Sequence, residues 1–186
     1  MKKKTLVLLL AVASVIVCVI GGTLAWLTAT SDQVKNTFTT SDIDITLEET
    51  TGADYKMVPG YTIAKDPKAT VLAGSEECYL FVKLEKSTNF DDYLTYQMAD
   101  GWTALTNVEG VYYRVGNTAN MGTAYSVLLN DQVTVKNSVT KEMMETAEAD
   151  QPTLTVTAYA SQLHKNNSQD FTAAEAWENV SNPTSN

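Results

Sequence analysis

Apolar and polar positions along most of the chain follow the patterns of β-strands. Residues 43–48 alternate isoleucine and leucine with polar residues, and residues 153–160 alternate apolar residues with Thr and Tyr. A period of two predicts strands with one buried face. Residues 78–84 are almost all apolar or aromatic, and a run of this length predicts a central strand buried on both faces. The chain is therefore expected to be mainly β-structure.

Further strands are predicted between closely spaced turn residues. Pro59-Gly60 suits a type II turn and precedes an extended piece that contains Tyr61 and Ile63. The segment 111–115, VYYRV, predicts an aromatic strand that ends at Gly116. The segments 126–130 and 132–136 predict two short strands joined by a hairpin turn at Asn130-Asp131. In total we expect seven or eight strands.

Two short helices are predicted within this β-rich pattern, at 139–149 and 170–180. Good helix formers dominate the first, and the second begins with the capping box Thr172 and Glu175. The apolar residues expected to face the core are Val139, Met143 and Ala147 in the first helix and Phe171, Ala174 and Trp177 in the second. Together the elements predict an all-β, jelly-roll-like two-sheet β-sandwich over residues 38–180, followed by a flexible tail at 181–186.

The first 25 residues have the three-part order of a secretory signal peptide. Lys2 to Lys4 are followed by an apolar run to residue 20, and then by small residues. Thr23 and Ala25 supply the small pair that a signal peptidase needs, so cleavage after Ala25 would make Trp26 the first residue of the mature chain. The alternative is a permanent anchor, because residues 6–27 are uncharged and long enough to span a bilayer.

Charge and cysteine content narrow the possible functions. Removal of residues 1–25 would take three of the 13 basic residues and none of the 22 acidic ones, which changes the net charge from −9 to −12. Such a surface repels phosphate backbones, so we expect no nucleic-acid partner. Cys18 would leave with the leader, and Cys78 would be a single thiol without an internal disulfide partner. We interpret Cys78 as a buried strand residue.

Signals of catalysis are weak. His164 is the single histidine, so a zinc site with two histidine ligands cannot form within one chain, and no phosphate loop or nucleophile elbow occurs. His164 is interpreted as an exposed loop residue. The pairs 76–77 and 91–92 are acidic and could join a calcium site, but they fit solvated surface acids better. We predict no catalytic residue, no metal ligand and no cofactor.

Several separated motifs resemble one family in their order. They are the end of the leader, GGTLAW, and then TFTTSDIDITLEE, VPGYTIAKDP, CYLFVKL, TLTVTAYASQ and the AEAW helix. The chain thereby resembles the TasA/camelysin family of Gram-positive bacteria, whose leaders are processed by a dedicated signal peptidase, SipW. The resemblance implies a secreted jelly-roll protein of the cell surface or biofilm matrix, whose members assemble into fibres.

The resemblance also implies how subunits join. The N-terminal segment of one mature subunit would complete the sheet of the next, and here that segment is 26–37 together with Phe38. Strand addition supplies main-chain hydrogen bonds, and Trp26, Val34 and Phe38 are the expected anchors. The alternative is that residues 26–36 are a disordered remnant of the leader. The expected partners are further copies or related matrix subunits, and the signal peptidase during export, with membrane contact through the uncleaved leader alone.

Two other functions stay open at this point. Some camelysin-like relatives are described as metalloendopeptidases, so a surface protease is one rival, although a single histidine and the lack of a zinc motif weigh against it. A monomeric surface adhesin, or a minor factor that caps or anchors fibres, is the other.

Overall fold

The computed structural model describes residues 42–52 and 55–182, and every structural statement below concerns these residues. They form an all-β protein, as the sequence predicts, with three short helices where two were expected. The strands are β1 (Ile45–Glu48), β2 (Thr62–Ala64), β3 (Lys68–Val71), β4 (Cys78–Lys86), β5 (Leu94–Thr95), β6 (Thr103–Ala104), β7 (Val111–Gly116), β8 (Tyr125–Ser126), β9 (Gln132–Val135), β10 (Leu154–Gln162), β11 (His164–Asn166) and β12 (Gln169–Asp170). The helices are α1 (Phe90–Tyr93), α2 (Lys141–Ala147) and α3 (Ala173–Ser181). The described strands therefore outnumber the seven or eight expected, because several have only two or three residues.

The largest sheet is four-stranded and antiparallel, in the order β10-β4-β7-β6. β4 lies inside it and pairs with β10 over all nine of its residues. Cys78, Leu80 and Val82 are almost fully buried on one face, and Phe81 is 0 % exposed on the other. The prediction of a central strand buried on both faces is confirmed.

Two three-stranded sheets pack against one face of the four-stranded sheet. Their orders are β1-β3-β8 and β2-β9-β5, and both are antiparallel. Side chains from all three sheets, including Val71, Val82, Val135 and Val156, share one apolar cluster, which we call the inner core. Opposed sheets around a shared core form a β-sandwich. The jelly-roll order of strands stays a prediction.

Helix α3 covers the other face of the four-stranded sheet. Trp177 packs on Phe81 and Tyr159, with ring centroids 5.3 Å away in both cases. The predicted capping box is confirmed, since Thr172 and Glu175 each accept a hydrogen bond from the backbone N–H of the other. The predicted stripe was wrong at one position: Ala174 is exposed and Ala176 is fully buried, because the helix begins at residue 173 and turns position 176 toward the sheet.

Helix α2 confirms the other helical prediction with shorter ends. Thr140 caps it by accepting a hydrogen bond from the backbone N–H of Met143 at 3.3 Å. Val139 and Ala147 are buried in the inner core, and Met143 packs against it. No helix in the described part of the chain is long and apolar enough to cross a membrane.

The two predicted turns had different outcomes. The Pro59-Gly60 turn is confirmed, because Gly60 has a φ of 79° and the N–H of Tyr61 donates to the carbonyl of Val58 at 3.0 Å. The hairpin at Asn130-Asp131 was wrong. Both residues have positive φ in a 3-10 turn, but β8 pairs with β3 whereas β9 pairs with β2 and β5. The turn carries the chain from one sheet to another instead of folding a strand back on its neighbour.

Candidate functional site

Strand β10 forms one edge of the four-stranded sheet, and among the described strands it pairs with β4 alone. Just beyond its ends, Ser87 N–H donates to the Thr153 carbonyl at 3.0 Å and Leu163 N–H donates to the Glu77 carbonyl at 2.9 Å. Both pairs continue the β4–β10 register, and hydrogen-bonded pairs alternate along an antiparallel ladder. The odd-numbered residues of β10 therefore bond to β4. The backbone groups of its even-numbered residues point away from β4.

These outward groups make an open edge among the described strands. They belong to Leu154, Val156, Ala158, Ala160 and Gln162, and no described backbone group pairs with them. The other described edge strands have two to four residues, whereas β10 has nine; they are β1, β2, β5, β6, β8, β11 and β12. An unpaired strand of this length is a template for the addition of another strand.

A second unpaired edge lies beside the first. Strand β1 is a near neighbour of β10, but no hydrogen bonds join the two strands. The N–H of Leu72 donates to the Asp44 carbonyl at 2.8 Å, and this pair continues the register of β1 and β3. The backbone groups of the even-numbered residues of β1 therefore bond to β3. The backbone groups of Ile45 and Leu47 therefore point away from β3. Two described edges with free alternate groups thus occur close together on one side of the sandwich.

A groove of about 890 Å³ lies at the beginning of β10. Leu154 and Thr153 line it together with Phe90, Leu94 and Met144, so much of its floor is apolar. Protein sites for small ligands and side-chain anchors have volumes of roughly 300–1,000 Å³ and mainly apolar walls. The groove therefore has the size of a binding site, and its lining is apolar and polar in similar measure.

One wall of the groove is a loop that an acidic residue ties down. Asp66 accepts hydrogen bonds from the backbone N–H groups of Thr50 and Thr51 at 2.9 and 3.0 Å, and from the Thr50 hydroxyl at 2.6 Å. These bonds, led by the one from the Thr50 hydroxyl, hold the pKa of Asp66 well below its usual value. Next to it, Lys65 and Glu49 form an ion pair at 2.9 Å that also lines the groove. The wall is thus fixed by specific polar contacts.

His164 is exposed, as expected, but it lies in strand β11 and not in a loop. Its Nδ1 is 2.6 Å from Asp170 Oδ1, and its Nε2 is 3.2 Å from Glu77 Oε2. The hydrogen bond to Asp170, and then that to Glu77, raise the pKa of His164. The imidazole therefore links the β11–β12 hairpin to the start of β4.

The other residues considered for chemistry have structural surroundings. Cys78 is a fully buried free thiol, as predicted, and burial raises its pKa to about 11. Asp91 forms an ion pair with Lys86 at 2.6 Å, and Asp92 is exposed on the same short helix. Glu76 is exposed, whereas Glu77 contacts His164. Within residues 42–52 and 55–182, no group of three or more His, Cys, Asp or Glu side chains is arranged to hold a metal ion.

The residues predicted to carry export and assembly lie outside the described part of the chain. They are Thr23, Ala25, Trp26, Val34 and Phe38. The leader at 1–25, the segment 26–37 and most of the tail at 181–186 also lie outside it, although helix α3 extends to Ser181. Cleavage and anchoring therefore stay predictions.

Comparison with protein-family models, curated proteins and solved structures finds no match for this chain. The resemblance to the TasA/camelysin family therefore stays a prediction that depends on the order of the sequence motifs. The sequence did not predict the open edge, the groove or the link from Glu77 to His164. Glu77 and His164 are separated by 87 positions, and the open edge depends on which strands pair with each other. No local sequence pattern therefore predicts either feature.

Proposed function

We propose that this protein is a secreted, non-enzymatic structural subunit of a bacterial cell surface or biofilm matrix. Its copies assemble by strand addition: the N-terminal segment 26–38 of one mature copy pairs with the open edge of β10 in the next. The observation that carries the proposal is the nine-residue open edge of β10 beside the unpaired edge of β1. Main-chain pairing along such an edge is a common way for an extended segment to bind a sheet.

The composition of the segment supports this pairing. Trp26, Val34 and Phe38 are separated by even numbers of residues, so in an extended strand they occupy the same face. Trp26 and Val34 would lie about 26 Å apart at ~3.3 Å per residue, which is also the span of the nine-residue strand β10. Leu154, Val156, Ala158 and Ala160 face the inner core. The three anchors of an added strand can extend this apolar face, whereas Thr28, Thr30, Asp32 and Asn36, which share their face in an extended segment, add polar positions.

The leader and the charge support a role outside the cell. A cationic start, an apolar run and small residues before Trp26 form the pattern of an exported chain. The mature net charge of −12 that follows from the sequence favours solubility before assembly. N-terminal sequencing of the protein from culture medium is expected to begin at Trp26. A chain that begins at Met1, or that stays in the membrane, would contradict the proposed processing.

A matched pair of substitutions in the mature chain tests strand addition. Val34→Asp replaces one of the three apolar anchors by a charge, whereas Gln33→Asp places the same charge on the opposite face of the segment. We expect the wild-type chain and Gln33→Asp to form oligomers or filaments, and Val34→Asp to stay monomeric, by light scattering after size exclusion and by negative-stain microscopy. A monomeric wild type would favour the adhesin or accessory factor, and assembly of Val34→Asp would refute the role of the segment.

A further inference from the structure

We propose that the groove at the beginning of β10 receives the new N-terminus of the incoming segment. The indole ring of Trp26 lies on the apolar floor, and its α-ammonium group lies beside the carboxylate of Glu148. This inference rests on the proposed function, because it requires cleavage after Ala25 and addition of the segment along β10. It assigns an occupant to the groove and a direction to the incoming strand.

The position of the groove supports this occupant. Thr153 and Leu154 line the groove and also begin the β10 edge, so a strand added along this edge reaches the groove at one end. When Trp26 lies level with Leu154, a strand that runs parallel to β10 brings Val34 level with Gln162, eight residues further along. In this register the nine residues from Trp26 to Val34 match the nine-residue edge, and Phe38 lies four residues beyond its end. The reverse direction would bring Phe38 to the groove instead.

The lining of the groove fits an aromatic residue that carries polar groups. Phe90 and Leu94 are buried beneath it, and Met57 and Met144 contribute thioethers, which make favourable contacts with aromatic rings. A buried indole also requires an acceptor for its N–H group, and Gln151, a residue with an amide oxygen that can accept, lines the same groove. The cavity, at about 890 Å³, is large enough for an indole ring together with the backbone that carries it.

Charge distinguishes a processed N-terminus from an internal residue. Glu148 lies at the C-terminal end of α2 and lines the groove, whereas Glu49 is already paired with Lys65. Lys56 also lines the groove and repels a cation, whereas Glu148, which forms no ion pair with a described residue, attracts one. Trp26 acquires its α-ammonium group only through cleavage of the bond after Ala25. Signal-peptide removal would therefore create the group that the groove recognises, and uncleaved chains would not bind there.

Synthetic peptides of residues 26–38 test the inference on the mature Val34→Asp chain, whose own segment is disabled. Binding is measured by calorimetry, and its location by amide exchange of β10. We expect Trp26→Ala to weaken binding of the peptide about tenfold or more, as for a buried aromatic anchor. Acetylation of its α-amino group, and Glu148→Lys in the protein, are each expected to weaken binding several-fold. Glu145→Lys on the same helix lies outside the groove and is expected to have no effect.

The outcomes separate this inference from the proposed function. If the peptide protects β10 and Trp26→Ala and Glu148→Lys weaken its binding while Glu145→Lys does not, the groove receives the N-terminus. If peptides that lack the indole or the free amine protect β10 as well as the unmodified peptide does, strand addition stands and the groove assignment is overturned. The same holds if Phe38→Ala in the peptide, and not Trp26→Ala, weakens binding. If no peptide protects β10, the proposed function fails, and the groove assignment fails with it.

Discussion

Replacement of Trp177 by Ala tests whether α3 forms the outer layer of the sandwich. The Trp177 side chain is 8 % exposed and packs against Phe81 and Tyr159, with both ring centroids at 5.3 Å. Loss of a buried tryptophan side chain costs roughly 3–5 kcal/mol, since transfer and cavity terms add. The higher helix propensity of Ala offsets about 0.5 kcal/mol of this loss. We therefore expect the free energy of unfolding to fall by about 2.5–4.5 kcal/mol, on the basis of these two effects.

Urea unfolding of the mature chain, followed by circular dichroism, measures this change. With a slope of about 2 kcal/mol per molar urea, the midpoint is expected to fall by about 1–2 M. Glu178→Ala is the matched control, because Glu178 is the next residue on the same helix and is exposed. This substitution is expected to change stability by less than about 0.5 kcal/mol. Equal midpoints for the two variants would refute the packing of α3 on the sheet.

Three further predictions follow from single sites. Ala176→Lys is expected to destabilise the protein strongly because position 176 is fully buried, whereas Ala174→Lys is expected to be nearly neutral; similar urea midpoints would contradict the orientation of α3. The pKa of His164 is raised, so its contribution to stability is present below pH 6.5 and lost as pH rises through the raised value. NMR titration of this single imidazole should give a pKa above 6.5, and His164→Gln should remove the pH dependence of stability in that range. The Cys78 thiol, with a pKa of about 11, should react with a thiol reagent far more slowly in the folded than in the urea-unfolded protein; equal rates would contradict its burial.

Local patterns predicted the elements whose causes are local. The apolar run from Cys78 predicts β4 because a strand covered on both faces favours apolar side chains at consecutive positions. Thr172 and Glu175 predict the start of α3 because each satisfies the backbone N–H of the other. The all-β class follows from many such segments, each of which is consistent with the others.

Features that depend on long-range pairing were missed or misplaced. Asn130 and Asp131 have a local preference for turns, but the adjoining strands find their partners in different sheets, so no hairpin forms. A period-two pattern identifies β10 as a strand and gives its buried face, yet it carries no information on whether both of its edges are paired. The groove next to Leu154 is likewise assembled from residues of several distant segments.

Amide hydrogen exchange along β10 tests the central claim most directly. In the monomeric Val34→Asp chain, the N–H groups of Thr155, Thr157 and Tyr159 should exchange slowly because they bond to β4, whereas those of Val156 and Ala158 should exchange quickly. Assembly of the wild-type mature chain should slow the second set to the rate of the first. If Val156 and Ala158 are already protected in the monomer, or stay unprotected in the assembly, strand addition at this edge is contradicted.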